Sequence, residues 1–270
     1  MVKNRGQCMI NEKITRADGV SCLKVIKFLS SDVSPSGILV IPDDIVIIGK
    51  HATEEIQHLV KFIKFNEKLE SIEEGAFAQC ELLKDVILPN GVKFIGEKAF
   101  WGCKALREIS VNVITIERYA FCGCGSLKNI SLGNEVKKIG DYCFAKTGIT
   151  TLYLPHTLRS LGMGAFMDCH NLVNLTIGGD IGQISLSSFE GCSALQSVIL
   201  TVKLEKIQTK AFKNCSTLKN IHLVKQNDIK VSVTAFEGCK NLSYVKKVNE
   251  EYVLPETELV YSILSQKDTD

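Results

Sequence analysis

The sequence predicts an α/β repeat protein: a solenoid with a parallel β-sheet on one side and short helical or 3-10 turns on the other. One hydrophobic frame, L-x-x-V-x-L-P-x-x-V-x-x-I-G-x-x-A-F-x-x-C, begins at Leu83 and recurs down most of the 270-residue chain. Its phenylalanine returns every 21 to 24 residues, and a cysteine follows three residues later in every coil but one, where Thr147 stands instead. The phenylalanines are Phe77, Phe100, Phe121, Phe144, Phe166, Phe189, Phe212 and Phe236. Two residue types held in phase at one period indicate a repeat array.

Each part of the frame predicts a local structure. The L-x-x-I-x-L segment ends in an alternation of apolar and polar residues, which is the period of a strand with one buried face. The V-x-x-I step predicts a second, shorter extended piece, and the glycine after it permits a sharp corner. The A-F-x-x-C-x-x-L segment has apolar residues three and four apart, which favours a helical or 3-10 turn.

Residues 1–37 do not follow the frame, and we expect them to form an N-terminal capping segment, because the end coil of an array needs a cover for its core. Residues 38–245 form the repeat array, with about nine coils. The fourth coil is short and passes from Val111 almost directly to Ile114. After residue 245 the register fades, so residues 246–270 are interpreted as a C-terminal cap and a polar tail.

The repeat resembles the BspA-like class of leucine-rich repeats, with its 23-residue L-x-x-I-x-L-P-x-x-V-x-x-I-G-x-x-A-F-x-x-C pattern. The match covers residues 38 to about 245, and period, glycine, Ala-Phe and cysteine all coincide. The resemblance implies a right-handed leucine-rich-repeat solenoid. It also implies a role in binding proteins or extracellular matrix, often at a cell surface.

Charge and the N-terminus bear on partners and location. The chain has 32 basic and 30 acidic residues, a near-balance that gives no general attraction to nucleic acid, so no nucleic-acid partner is expected. The stretch Leu23 to Leu29 is interrupted by Lys24 and Lys27, which predicts neither a secretory signal nor membrane insertion. The sequence therefore predicts a cytoplasmic protein, with the cell surface or secretion as the alternative that the resemblance implies.

The 11 cysteines do not predict a metal site or a disulfide framework. Seven of them lie at the repeat spacing, and a residue set by the repeat is a packing residue first, since an unpaired cysteine acts as a small buried hydrophobe. No C-x-x-C pair has a matching second pair, and the 5 histidines occupy unrelated repeat positions. We therefore predict no metal ligands and no cofactor.

The solvent face of the long strands is the predicted binding surface, because the frame does not dictate its residues. One outward row reads Lys64, Ile87, Ser110, Ser131, Tyr153, Thr176, Ile199 and His222. We single out Ile87, Tyr153 and Ile199 as exposed apolar anchors, with His222 and Lys64 beside them, since binding surfaces favour such anchors. Apolar residues also suit strands for packing reasons alone, so a purely structural role for them stays open.

These features favour a non-catalytic, monomeric binding module that captures a protein or glycoprotein partner, as in surface adhesion or interaction with a host. Two alternatives remain. One is an enzyme with a site at the coil turns or the termini, although no acid–base or nucleophile set converges in the sequence. The other is a structural protein that assembles through exposed coil ends.

Overall fold

The computed structural model describes residues 9–201, 204–223, 229–242, 246–248 and 251–253. The chain divides into two compact units, Met1–Val136 and Lys137–Asp270. In both units almost every strand is short and parallel to its neighbours, as expected when each coil of a repeat array adds one strand to a growing sheet.

The first unit contains two sheets. Its strands are β1 (Ile10–Thr15), β2 (Ser21–Lys27), β3 (Ile38–Val40), β4 (Ile45–Ile48), β5 (Phe62–Lys64), β6 (Ser71–Ile72), β7 (Asp85–Ile87), β8 (Phe94–Ile95), β9 (Glu108–Val111), β10 (Thr115–Ile116) and β11 (Asn129–Leu132). One sheet has the order β1-β2-β4-β6-β8-β10, and the other has the order β11-β9-β7-β5-β3. Each coil therefore gives one strand to each sheet, which confirms the shorter second strand predicted for the V-x-x-I step.

The second unit repeats this plan. Its strands are β12 (Lys138–Ile139), β13 (Thr151–Leu154), β14 (Ser160–Leu161), β15 (Asn174–Ile177), β16 (Gln183–Ile184), β17 (Ser197–Leu200), β18 (Lys206–Ile207), β19 (Asn220–Leu223), β20 (Lys230–Ser232), β21 (Lys246–Val248) and β22 (Glu251–Val253). The longer strands pair as β13-β15-β17-β19, and the shorter ones pair as β12-β14 and β16-β18-β20-β22-β21. With five long strands in the first unit and four in the second, the described chain has about nine coils.

A column of phenylalanine rings fills the core of each unit. In the first unit, Phe77 stacks on Phe100 and Phe100 on Phe121, with ring centroids 5.3 and 5.2 Å apart. In the second unit, the rings from Phe144 to Phe236 follow one another at 5.3 to 5.6 Å. The spacing is close to the ~4.8 Å between neighbouring strands, so one ring fits each coil. The prediction that Phe fills the core is confirmed.

The predicted helical or 3-10 turns are wrong. The Ala-Phe segments of the described coils are turns, and the described residues contain no α-helix; the 3-10 helix Ser30–Asp32 lies outside the repeat. In the third coil, Lys98 has φ of +55°, which a right-handed helix does not allow. The Phe100 N–H donates to the Ala120 carbonyl of the next coil at 2.8 Å instead of bonding within its own segment. Bonds to the next coil therefore alternate with turn bonds inside the coil, such as that from the Trp101 N–H to the Lys98 carbonyl at 3.0 Å.

The ends of the array show antiparallel pairing. Strands β1 and β2 form a hairpin, and β2 pairs in parallel with β4 at the start of the array. Strands β21 and β22 pair antiparallel with each other, and β22 pairs with β20. The capping roles of residues 1–37 and 246–270 stay predictions, as does right-handedness, and the predicted polar tail lies outside the described residues.

We expect Phe166→Ala to lower the free energy of unfolding by about 3–5 kcal/mol, because a fully buried ring is lost from the column. The ring is 0 % exposed and stacks on Phe144 and Phe189 at 5.3 and 5.6 Å. Urea denaturation followed by circular dichroism measures the loss. Tyr153→Ala in the same unit is the control, and its cost of about 1 kcal/mol or less reflects an exposed ring. Equal losses in the two variants would contradict the buried column.

A glycine in the second unit tests close packing between coils. Gly164 has φ of +59°, and a Cβ there would lie 2.4 Å from Cε1 of the Tyr142 ring. Gly182 has φ of +63° but has nothing within 4 Å of the same point. We expect Gly164→Ala to destabilise by about 1–3 kcal/mol more than Gly182→Ala, since only the first meets a side chain.

A double-mutant cycle separates this clash from backbone strain. In a Tyr142→Ala background, the extra cost of Gly164→Ala over Gly182→Ala is expected to disappear, because the ring in the way has been removed. Thermal or urea unfolding of the four variants gives the values. An extra cost that persists without the ring would mean that Gly164 is required for its backbone alone.

Candidate functional site

The outward row of the first unit centres on Ile87 in strand β7. Alternation along the strand buries Val86, which is 3 % exposed, and leaves Ile87 85 % exposed. Ile87 pairs with Ser110 of β9, and Ser110 pairs with Ser131 of β11, so its neighbours on that side are small hydroxyl residues. The large aliphatic side chain of Ile87 therefore projects beyond the smaller, polar side chains next to it.

Shallow depressions lie on both sides of Ile87. One, with a volume of about 430 Å³, is lined by Ile87, Lys64 and Glu67 together with Ile63, Phe65 and the Leu88–Asn90 segment. The other, about 350 Å³, is lined by Ile87, Glu108, Ser110, Asn129 and Ser131 with the strand residues between them. The structure thus brings together Lys64 and Ile87, two of the residues predicted from the sequence.

A third depression follows from the short fourth coil. Strand β9 ends at Val111 and β10 begins at Thr115, so this coil lacks the Pro-x-x segment of its neighbours. The missing residues leave a notch of about 140 Å³ beside Pro89, Asn90 and Gly133. The Asn112 Oδ1 accepts a hydrogen bond of 3.0 Å from the Glu135 backbone N–H across this notch. The shorter fourth coil therefore leaves a concave surface next to the sheet face.

The sequence analysis missed three apolar residues of this face. Val40 is 50 % exposed, and Ile38 and Phe62 are both 37 % exposed. Strands β3 and β5 pair so that Ile38 lies beside Phe62 and Val40 beside Lys64. The sequence signal for Ile38 and Val40 was the alternation Ile38-Leu39-Val40, with Leu39 buried. It lies in a first coil that lacks the Ala-Phe step. The exposed apolar surface is therefore larger at this end than the sequence analysis indicated.

The outward row of the second unit contains the other three predicted residues. Tyr153 pairs with Thr176, Thr176 with Ile199, and Ile199 with His222, in one continuous register. Tyr153 is 54 % exposed and Ile199 43 % exposed, while His222 is half-buried. The structure therefore places Ile199 beside His222 and separates Tyr153 from Ile199 by one threonine.

The repeated cysteines face the core and make hydrogen bonds between coils. The Cys103 thiol donates to the Phe77 carbonyl oxygen at 3.3 Å, and the Cys124 thiol donates to the Phe100 carbonyl at 3.2 Å. The same bond recurs in the second unit at 3.0 to 3.2 Å for Cys169, Cys192, Cys215 and Cys239. Thr147, which replaces a cysteine, donates instead within its own coil, to the Phe144 carbonyl at 2.9 Å. Burial was predicted from the sequence, whereas the hydrogen bonds were not.

Burial also makes three of the repeated thiols less acidic. It raises the pKa of the Cys80 thiol from 9.0 to about 11, against a smaller opposing effect of the hydrogen bond to Thr53. Burial likewise holds the pKa of Cys103 and of Cys192 well above the ordinary value. Because the thiolate is the reactive form, these residues are poor nucleophiles.

Two further properties concern the described part of the chain alone. No helix there has the length and apolar character required to cross a bilayer. No group of three or more His, Cys, Asp or Glu side chains is placed there to hold a metal ion.

These features define a leucine-rich-repeat solenoid with an exposed parallel sheet, and sequence comparison places it in a family. The profile described as "BspA type Leucine rich repeat region" matches residues 36–146 and 114–243 in 6 copies. The chain belongs to the BspA-type leucine-rich repeat family. No curated protein sequence matches it significantly.

Solved structures share the fold at low sequence identity. A leucine-rich cell surface protein from Faecalibacterium prausnitzii A2-165 superposes with a TM-score of 0.50 at 16% identity, over 90% of this chain and 93% of the other. The T. pallidum leucine-rich repeat protein TpLRR superposes with a TM-score of 0.55 at 20% identity, over 77% of this chain and 87% of the other. At this identity the likeness concerns the fold alone.

The buried cysteines give a chemical test of the core. We expect Cys80, Cys103 and Cys192 to resist iodoacetamide at pH 8 in the native protein and to react once the chain is unfolded in urea. For Cys80, a pKa of about 11 instead of 9.0 lowers the thiolate population about a hundredfold. Mass spectrometry reads each site separately, and the partly exposed Cys122 provides the faster-reacting comparison. Rapid native labelling of the three buried sites would contradict this packing.

Proposed function

We propose that the chain is a non-catalytic binding module that captures a protein or glycoprotein partner on the exposed face of its long strands. The observation that carries this proposal is the 85 % exposure of Ile87 between two depressions. Such a side chain is costly to leave in water, and burial of an isoleucine contributes about 1.5–3 kcal/mol. A partner with an apolar pocket for Ile87 would gain that contribution.

The surroundings of Ile87 suit an interface with a polar rim. Lys64, Asp85 and Glu108 are exposed around it, and the hydroxyl groups of Ser110 and Ser131 lie on its other side. Interfaces commonly surround an apolar anchor with charged and hydrogen-bonding groups that remain near solvent. In the second unit, Tyr153 and Ile199, with His222 beside Ile199, offer a further anchor set of the same kind.

The proposed location is the cell surface rather than the cytoplasm that the sequence alone predicted. The Faecalibacterium structure is described as that of a cell surface protein, and family membership supports the same location here. We also propose that the chain is a monomer. The β1–β2 hairpin covers the edge that β4 would otherwise present, and exposed sheet edges are the usual route to self-association.

Charge introduced at the anchors tests the binding face. The partner is captured with the wild-type chain from culture surroundings and lysate, identified and purified, and its Kd is measured by calorimetry. We expect Ile87→Asp to weaken binding by at least about 2 kcal/mol, which is near thirtyfold, as for a central anchor. The combined Tyr153→Asp and Ile199→Asp variant shows whether the second unit contributes.

The matched control places the same charge on the other sheet of the first unit. Phe94 and Ile114 are 37 % and 40 % exposed, similar to Ile199, but they belong to the shorter-strand side of the coils. Phe94→Asp and Ile114→Asp are expected to leave the Kd unchanged. A partner that tolerates all three anchor substitutions, or that is lost equally in the controls, would move the site away from the long strands. All variants must retain cooperative unfolding.

A further inference from the structure

A row of four cations borders the long-strand sheet of the first unit. The same position in four successive coils, immediately before the first residue of each long strand, is occupied by Lys61, Lys84, Arg107 and Lys128. Backbone bonds hold them in register: the Lys84 N–H donates to the Lys61 carbonyl at 3.0 Å, Arg107 to Lys84 at 3.0 Å, and Lys128 to Arg107 at 2.9 Å. We call these four residues the cation row.

The cation row lacks the acidic partners that several other cations of this unit have. Lys50 pairs with Glu74 at 3.0 Å, Lys104 with Glu81 at 2.7 Å, and Arg118 with Glu97 at 2.7 Å. Among the described residues, no carboxylate lies within ion-pair distance of any member of the row. Lys84 instead places its Nζ 5.8 Å from the centre of the Phe62 ring.

The repeat does not require a cation at this position. In the second unit the same register contains Thr150, Val173, Gln196 and Lys219, so only one of four is charged. In the first unit, strands lie ~4.8 Å apart, so each backbone position of the row is closer to the next one than the ~8 Å over which physiological salt screens charge. Their mutual repulsion costs stability, and an anionic ligand along the row would remove that cost.

The acidic residues beside the cation row limit the shape of the ligand that it can bind. The next residues along the four strands are Phe62, Asp85, Glu108 and Asn129, so two exposed carboxylates flank the row. A duplex or a bilayer surface is broad and would bring its phosphates onto Asp85 and Glu108. A single narrow chain that runs across the strands meets the cations alone.

The chemistry of the neighbouring side chains favours a polysaccharide over single-stranded nucleic acid. Proteins that bind single strands combine a basic groove with several aromatic platforms for the bases. Along the cation row the one aromatic side chain of the strands is Phe62, and Lys84 already lies over its ring. We propose that the cation row binds a linear sulfated polysaccharide, with sulfate groups spaced along the chain meeting successive cations. This site goes beyond the proposed protein-binding face and shares none of its anchor residues.

Heparin is the probe, and its affinity for the full chain is measured by calorimetry over a series of NaCl concentrations. The test variant carries Lys61→Gln, Lys84→Gln, Arg107→Gln and Lys128→Gln. We expect an affinity loss of at least about tenfold, and a salt slope of log Kd that falls by about 1 for each cation removed. Chemically desulfated heparin is expected not to bind the wild-type chain.

The matched control removes the same charge elsewhere. It carries Lys68→Gln, Lys93→Gln, Lys137→Gln and Lys206→Gln, four exposed lysines outside the row, and is expected to lose less than about threefold. A second variant carries Lys61→Arg, Lys84→Arg and Lys128→Arg, retains the charge and is expected to keep binding heparin. It provides a test that stays valid if the glutamine variant does not fold.

Three results would overturn the proposal. A control variant that loses as much affinity as the row variant would show that only net charge matters, which removes the row as a site. Desulfated heparin that binds as tightly as heparin removes sulfate as the recognised group. Tighter binding of a single-stranded oligonucleotide, or of vesicles with anionic lipid, than of heparin assigns the row to another class of ligand.

Discussion

No single coil of this chain can bury its own phenylalanine, and the rest of the structure depends on that constraint. A coil of about 23 residues has two short strands and a turn, and its ring is covered only when the next coil supplies another ring some 5.2 to 5.6 Å away. Alternate backbone N–H groups of the turn likewise donate to carbonyls of the neighbouring coil. Packing and hydrogen bonding therefore impose one register on every successive coil.

Because every coil has the same register, side chains at equivalent repeat positions form rows on the surface. Leu, Val and Ile at the inward positions are fixed by the core, whereas the core places no such constraint on the outward positions. Ile87 and the cation row illustrate the two consequences, an isolated apolar anchor and a line of like charges. Neither is part of the buried core, and the stacking of the rings does not dictate either of them.

The fold was predictable because its determinant is local and repeated. A phenylalanine such as Phe100 recurs at the same phase in eight coils, and a cysteine such as Cys103 follows it in seven of them. The sequence alone therefore predicts a solenoid, its two extended segments and its buried ring. The turns were predicted wrongly because apolar residues three and four apart occur both in a helix and in a turn closed by the next coil. Only bonds such as that from Phe100 to Ala120 distinguish the two, and they join residues from different repeats.

The candidate site was predictable only in part. Ile87 and Lys64 follow from alternation. Val40 lies in the first coil, where the frame is incomplete, and Phe62, two residues before Lys64, was not singled out. The cation row became visible as a unit once the backbone ladder placed Lys61 to Lys128 side by side.

The short fourth coil shows where this architecture accepts changes in chain length. Phe100 and Phe121 are two residues closer in sequence than most such pairs, yet their rings are 5.2 Å apart, as elsewhere in the column. The deficit is absorbed entirely at the corner between β9 and β10, where it leaves the notch. Length at this corner is thus uncoupled from the core. The same corner in other coils offers a graft point at which a foreign loop can be displayed without disturbing the stacked rings.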